Sequence, residues 1–122
     1  LDYQHVVVTS TKEFVNPNPA IVDAFVRGWA DTIRFYKNNN NKEAVKKAIA
    51  KYSKIKDPED LEFLYLSYAP LLPFPPYPTK KGIATIVGTI RQTNPQLREF
   101  SPDEFIDDRW LRKLEGEGFF RK

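Results

Sequence analysis

A proline-rich segment between residues 70 and 78 constrains the fold of this chain more than any other feature. It holds five prolines within nine residues, interleaved with apolar and aromatic side chains that include Phe74 and Tyr77. Proline fixes φ and lacks a backbone N–H donor, so the segment can form neither a helix nor a central strand. We therefore predict a stiff, extended connection between the helices before it and the helices after it.

Helix start signals on both sides of that connection predict a mainly helical chain. Asn18-Pro19, Asp57-Pro58 and Ser101-Pro102 each place a capping side chain before a proline at the first helical position. Thr79 serves as a cap after the proline-rich segment. Together with the apolar spacing, these caps predict five or six helices. The long ones cover about 19–37, 42–53, 58–69, 80–93 and 107–115, with short turns near 11–14 and after Ser101.

One β-branched run, His5-Val6-Val7-Val8-Thr9, predicts a single short strand that is buried on both faces. A single strand cannot satisfy its own backbone hydrogen bonds, so it needs a sheet from elsewhere. The chain has 122 residues, enough for one modest domain. The orphan strand therefore predicts that the sheet it pairs with lies outside residues 1–122.

The residue types exclude several classes of chemistry. The chain has no cysteine, which rules out disulfides, thiolate metal sites and a thiol nucleophile. His5 is the sole histidine and has no carboxylate at ligand spacing, so no metal site is expected. Asp107-Asp108 suits a helix end better than a catalytic carboxylate pair. We predict neither an enzyme nor a cofactor.

The charge balance argues against a nucleic-acid binder. The chain carries 19 basic and 16 acidic residues, for a net charge of +3. The densest basic cluster lies on the predicted second long helix, where aromatic side chains do not interleave with the lysines, so base stacking is not indicated. We interpret it as a solvated face, formed by Lys42, Lys46, Lys47, Lys51 and Lys54. No apolar run reaches the roughly 20 residues of a membrane helix.

The order of motifs along nearly the whole chain resembles one family. Val6-Val7-Val8-Thr9-Ser10, Asn16-Pro17-Asn18-Pro19 and Val22-Asp23-Ala24-Phe25 are similar to a stretch of the solute-binding proteins of nitrate, taurine, alkanesulfonate and thiamine-precursor ABC importers. The closing phrase, from Pro102 through Phe105-Ile106-Asp107-Asp108 to Gly118-Phe119, resembles the end of those proteins. The proline-rich segment departs from their pattern.

This resemblance implies an α/β fold of two lobes that close on a small ligand by bending at hinge strands. The chain would be the C-terminal part of one lobe, mainly helical with one short strand, and the upstream sheet and second lobe would be absent. Its partners would be a small polar or anionic solute and an ABC permease, at the periplasmic or extracellular face of the membrane, with or without a lipid anchor. The membrane would be contacted only indirectly. The candidate ligand residues, near the hinge crossing, are Tyr3, Gln4, His5, Ser10 and Thr11.

Two further expectations concern protein contacts. Helices with wide apolar stripes and no sheet to cover should leave apolar surface exposed, so the chain should self-associate or pair with another chain. The alternative function is a small helical interaction module that binds a protein partner through the proline-rich loop and an aromatic groove, with Phe74 and Tyr77 as the contact residues of the loop. On the simpler interpretation, that loop is only a rigid connector.

Overall fold

A computed structural model describes residues 3–121 and shows a mainly helical chain. Within this range there are six α-helices and no β-strand. Short 3₁₀ turns lie between or after them, at Asn39–Asn41, Ala69–Leu71, Pro95–Glu99, Pro102–Phe105 and Phe119–Arg121. The helices are α1 (Lys12–Val15), α2 (Pro19–Lys37), α3 (Lys42–Ser53), α4 (Pro58–Tyr68), α5 (Lys80–Arg91) and α6 (Arg109–Gly116).

Three of the predicted helix starts are confirmed by the side chains that cap them. The Asp57 side chain accepts hydrogen bonds from two amides in the first turn of α4, and Thr79 accepts one from the first turn of α5. Ser101 and Glu104 make a reciprocal capping box. These contacts satisfy backbone N–H groups that have no partner inside the helix. The helix that follows the capping box is a 3₁₀ turn, and α5 ends about two residues earlier than predicted.

The predicted strand at residues 5–9 is wrong for this chain. Residues 3–11 form no regular secondary structure, and the side chains of Val7 and Val8 are 43% and 52% exposed. A strand needs a neighbouring strand to pair its backbone groups, and no other strand exists in the described part of the chain. The β-branched composition therefore does not produce a strand here.

The described residues divide into two compact units, residues 3–23 with 77–121 and residues 24–76. The core of the second unit is formed by Ala30, Ile33, Val45, Leu61 and Tyr65. In the first unit, the buried apolar side chains are Val87, Leu111 and Leu114. Each core is small for the number of residues that surround it.

Large apolar side chains are exposed in both units. Residues 24–76 expose seven of them against five buried core residues: Phe25, Phe35, Tyr52, Phe63, Leu66, Tyr68 and Leu71. The other unit exposes eight against three: Tyr3, Val7, Val8, Phe14, Ile21, Ile90, Phe100 and Phe105. Covering these side chains with further polypeptide would stabilise the chain by removing apolar surface from water.

Candidate functional site

The first predicted ligand-binding segment is held against the start of α5 by Gln4. Its carboxamide oxygen accepts hydrogen bonds from the Thr79 backbone N–H, at 2.9 Å, and from the Thr79 hydroxyl, at 3.2 Å. Its amide nitrogen donates to the carbonyl of Val6, at 3.1 Å. Gly82 permits this close approach, because a Cβ there would lie 2.9 Å from the Gln4 backbone nitrogen. Gln4 therefore positions the segment rather than offering a free ligand contact.

Tyr3 and His5, on either side of Gln4, lie close together. Their ring centroids are 5.3 Å apart with the planes tilted by 56°, and both residues are exposed. A phenol and an imidazole in this arrangement can stack against a flat ligand and can exchange hydrogen bonds with a polar one. Of the five predicted ligand residues, the structure brings these two into ring contact.

The other two predicted ligand residues lie at the start of α1. The hydroxyl of Thr11 accepts a hydrogen bond from the Phe14 N–H, at 3.3 Å, which makes Thr11 the cap of that helix. Ser10 is exposed. No hydrogen bond within residues 3–121 joins Ser10 or Thr11 to Tyr3 or His5. The capping contact gives Thr11 a structural role.

The side chains of the proline-rich segment make contacts inside the chain. In the unit of residues 24–76, the guanidinium carbon of Arg34 lies 5.5 Å from the centroid of the Phe74 ring. In the other unit, the Tyr77 hydroxyl donates to a carboxylate oxygen of Glu115, at 2.7 Å. Burial, assisted by that hydrogen bond, raises the pKa of Tyr77 to about 12. These contacts favour a rigid connector over a free partner-binding loop.

An apolar groove lies between α2 and α3, where the sequence predicted an aromatic groove without locating it. It encloses about 320 Å³ and lies entirely within residues 24–76. Tyr52, 79% exposed, and Phe35, 48% exposed, are part of its lining. Small side chains at positions 44 and 48 lie inside the apolar stripe of α3, but the sequence does not show that α2 lies beside them. The lining consists of Thr32, Phe35, Tyr36, Ala44, Val45, Ala48, Ile49 and Tyr52.

The lysines of the basic cluster differ in their contacts. Lys42 and Lys46 both contact Glu62 of α4, the latter with its Nζ 3.2 Å from a carboxylate oxygen. Hydrogen bonds from these two lysines lower the pKa of Glu62. The resulting charged contact joins α3 to α4. Lys47 and Lys51, one turn apart, are exposed and have no ion pair among the described residues.

Comparison with known proteins does not identify a family for this chain. Neither the family models, nor the curated proteins, nor the solved structures include a match to the chain. In the described range, no group of three or more His, Asp or Glu side chains is placed to hold a metal ion. No helix there is both long and apolar enough to cross a membrane.

Proposed function

We propose that this chain acts by binding rather than by catalysis, as the helical part of an extracytoplasmic solute-binding protein that serves an ABC importer. The specific assignment rests on the order of motifs that resembles that family. The observation that carries the proposal is the excess of exposed over buried large apolar side chains in each of the two units. Surface of this kind is stabilised when further polypeptide covers it.

The ligand contact that this chain would contribute is the ring pair of Tyr3 and His5. Gln4 holds the segment in place through Thr79, so the two neighbouring rings are presented at a defined separation. Small polar or anionic solutes, such as sulfonates, nitrate or pyrimidine precursors, suit a pair that offers stacking and hydrogen bonds. The protein would deliver its solute to an ABC permease at the periplasmic or extracellular face of the membrane.

The test is a thermal-shift panel on the full-length product of the reading frame that encodes this sequence. Taurine, an alkanesulfonate, nitrate and an aminopyrimidine are added in turn, and we expect at least one of them to raise the melting temperature by mass action. Tyr3→Ala and His5→Ala should reduce that shift, whereas Tyr68→Ala, an exposed aromatic elsewhere, should leave it unchanged. A panel in which no solute raises the melting temperature would refute the assignment.

A second candidate function is supported by the groove between α2 and α3. A small helical interaction module would bind a protein segment, and an apolar groove between two helices is a suitable receptor for one. In this alternative the groove is the binding site. The loop is less suited to that role, because Phe74 and Tyr77 already contact Arg34 and Glu115 within the chain. The interaction-module function would be favoured if a protein ligand bound the chain, bound an Ala48→Gln variant more weakly, and no solute bound either.

A further inference from the structure

The groove between α2 and α3 has an apolar lining and a basic edge. Its lining side chains are almost all apolar or aromatic, and Lys47 and Lys51 lie on the exposed side of α3 next to them. The Nζ atom of Lys51 lies 5.2 Å from the centroid of the Tyr52 ring. Lysines one helical turn apart lie on the same side of the helix, so they present two positive charges together. The groove therefore favours an apolar segment with acidic neighbours.

The outer face of α4 has the complementary character. Phe63 and Leu66 lie three positions apart on one side of the helix and are 70% and 56% exposed. Glu59 precedes Phe63 by one turn, and both Glu59 and Asp60 are exposed. Neither acid forms an ion pair among residues 3–121. The opposite side of the helix is buried in the core through residues such as Tyr65.

We propose that the groove of one copy of the chain binds the outer face of α4 from a second copy. Phe63 and Leu66 would enter the apolar groove, and the Glu59–Asp60 pair would face Lys47 and Lys51. Charge complementarity favours α4 as the occupant, because its two acids are negative and the two lysines at the groove edge are positive. The inference goes beyond solute binding, because it concerns contact between copies.

The two surfaces are different patches of one unit, so the contact is heterologous. Such contacts join copies head to tail and can extend beyond a dimer or close into a ring. Burial of the two exposed apolar side chains supplies the main stabilisation, and the charges set the register. Association should therefore weaken with increasing salt without disappearing.

Sedimentation velocity of the chain at concentrations up to about 0.5 mM tests the proposal, because a micromolar contact would be saturated there. Two charge-reversed variants are compared with the wild type: Lys47→Glu with Lys51→Glu, and Glu59→Lys with Asp60→Lys. Each should weaken self-association by about tenfold or more, because like charges now face each other. An equimolar mixture of the two variants should restore association, since each groove then meets a helix of opposite sign.

Control variants separate this contact from general effects of charge and apolar surface. Lys12→Glu with Arg98→Glu makes the same change in net charge as the groove variant but lies in the other unit, so association should persist. Phe63→Ala should weaken association, whereas Phe14→Ala, an exposed phenylalanine of α1, should not. Circular dichroism checks that each variant retains its helices. A monomeric wild type, or a mixture that fails to restore association, would overturn the proposal.

Discussion

The stacked pair Tyr36 and Tyr65 joins α2 to α4 within residues 24–76, and its hydroxyl groups can be removed one at a time. The Tyr36 hydroxyl donates to the Tyr65 carbonyl at 2.8 Å, and the Tyr65 hydroxyl donates to the Tyr36 carbonyl at 3.2 Å. The ring centroids are 5.1 Å apart and the planes differ by 16°. Tyr65 is 4% exposed, and both hydroxyl bonds are partly buried.

The expected cost follows from these contacts. Tyr36→Phe and Tyr65→Phe each remove one hydrogen bond and keep the ring, so each should lower the free energy of unfolding by about 1 kcal/mol. The double variant should lose less than the sum of the two, by about 0.5 kcal/mol, because each bond helps to hold the other in register. Tyr65→Ala also removes a buried ring and should cost about 3–5 kcal/mol.

Urea unfolding followed by circular dichroism measures these differences, at a protein concentration low enough to keep the chain monomeric. Tyr52→Phe is the matched control, because that ring is 79% exposed and its loss of a hydroxyl should change stability by less than about 0.5 kcal/mol. If Tyr65→Phe and Tyr52→Phe were equally stable, the reciprocal hydrogen bonds would not contribute, and the described join between α2 and α4 would be refuted.

Three other predictions concern caps, packing and pH. Asp57→Ala should lower the free energy of unfolding by about 1 kcal/mol in the same urea assay, because two amides lose their acceptor; an unchanged midpoint would contradict the cap. Gly82→Ala should lower the free energy of unfolding by about 1–3 kcal/mol, because its Cβ would lie 2.9 Å from the Gln4 backbone nitrogen. Gly88→Ala is the control and should be neutral or stabilising, because its Cβ would have nothing within 4 Å. The pKa of Tyr77 is raised from 10.0 to about 12, so its stabilising contribution is intact below the unfolded pKa and lost as pH rises through the folded value. The stability difference between wild type and Tyr77→Phe should therefore shrink between pH 10 and pH 12, and a constant difference would rule this out.

The helices were predictable because their signals are local. Asp57, Thr79 and Ser101 cap helices within three residues of their own positions, and no distant contact is needed to recognise them. The predicted strand failed for the opposite reason. Val7 and Val8 have the composition of a buried strand, but a strand depends on a partner that the sequence pattern cannot supply.

The groove and the division of the lysines depend on how helices pair. Ala44 and Ala48 leave space only because α2 lies beside α3, and no spacing rule within α3 shows that neighbour. Likewise, Lys46 differs from Lys47 because Glu62 lies next to one and not the other. Sequence patterns predict which face of a helix is apolar, whereas pairing decides which part of that face remains open.

The most direct test of the account measures whether the exposed apolar faces are accessible. The chain is titrated with an apolar dye such as anilinonaphthalene sulfonate at a concentration where it is monomeric, and its near-ultraviolet circular dichroism is recorded in the same sample. We expect strong dye fluorescence together with a fixed aromatic signal, because folded units expose more large apolar side chains than they bury. Dye fluorescence no greater than that of a compact folded protein would contradict it.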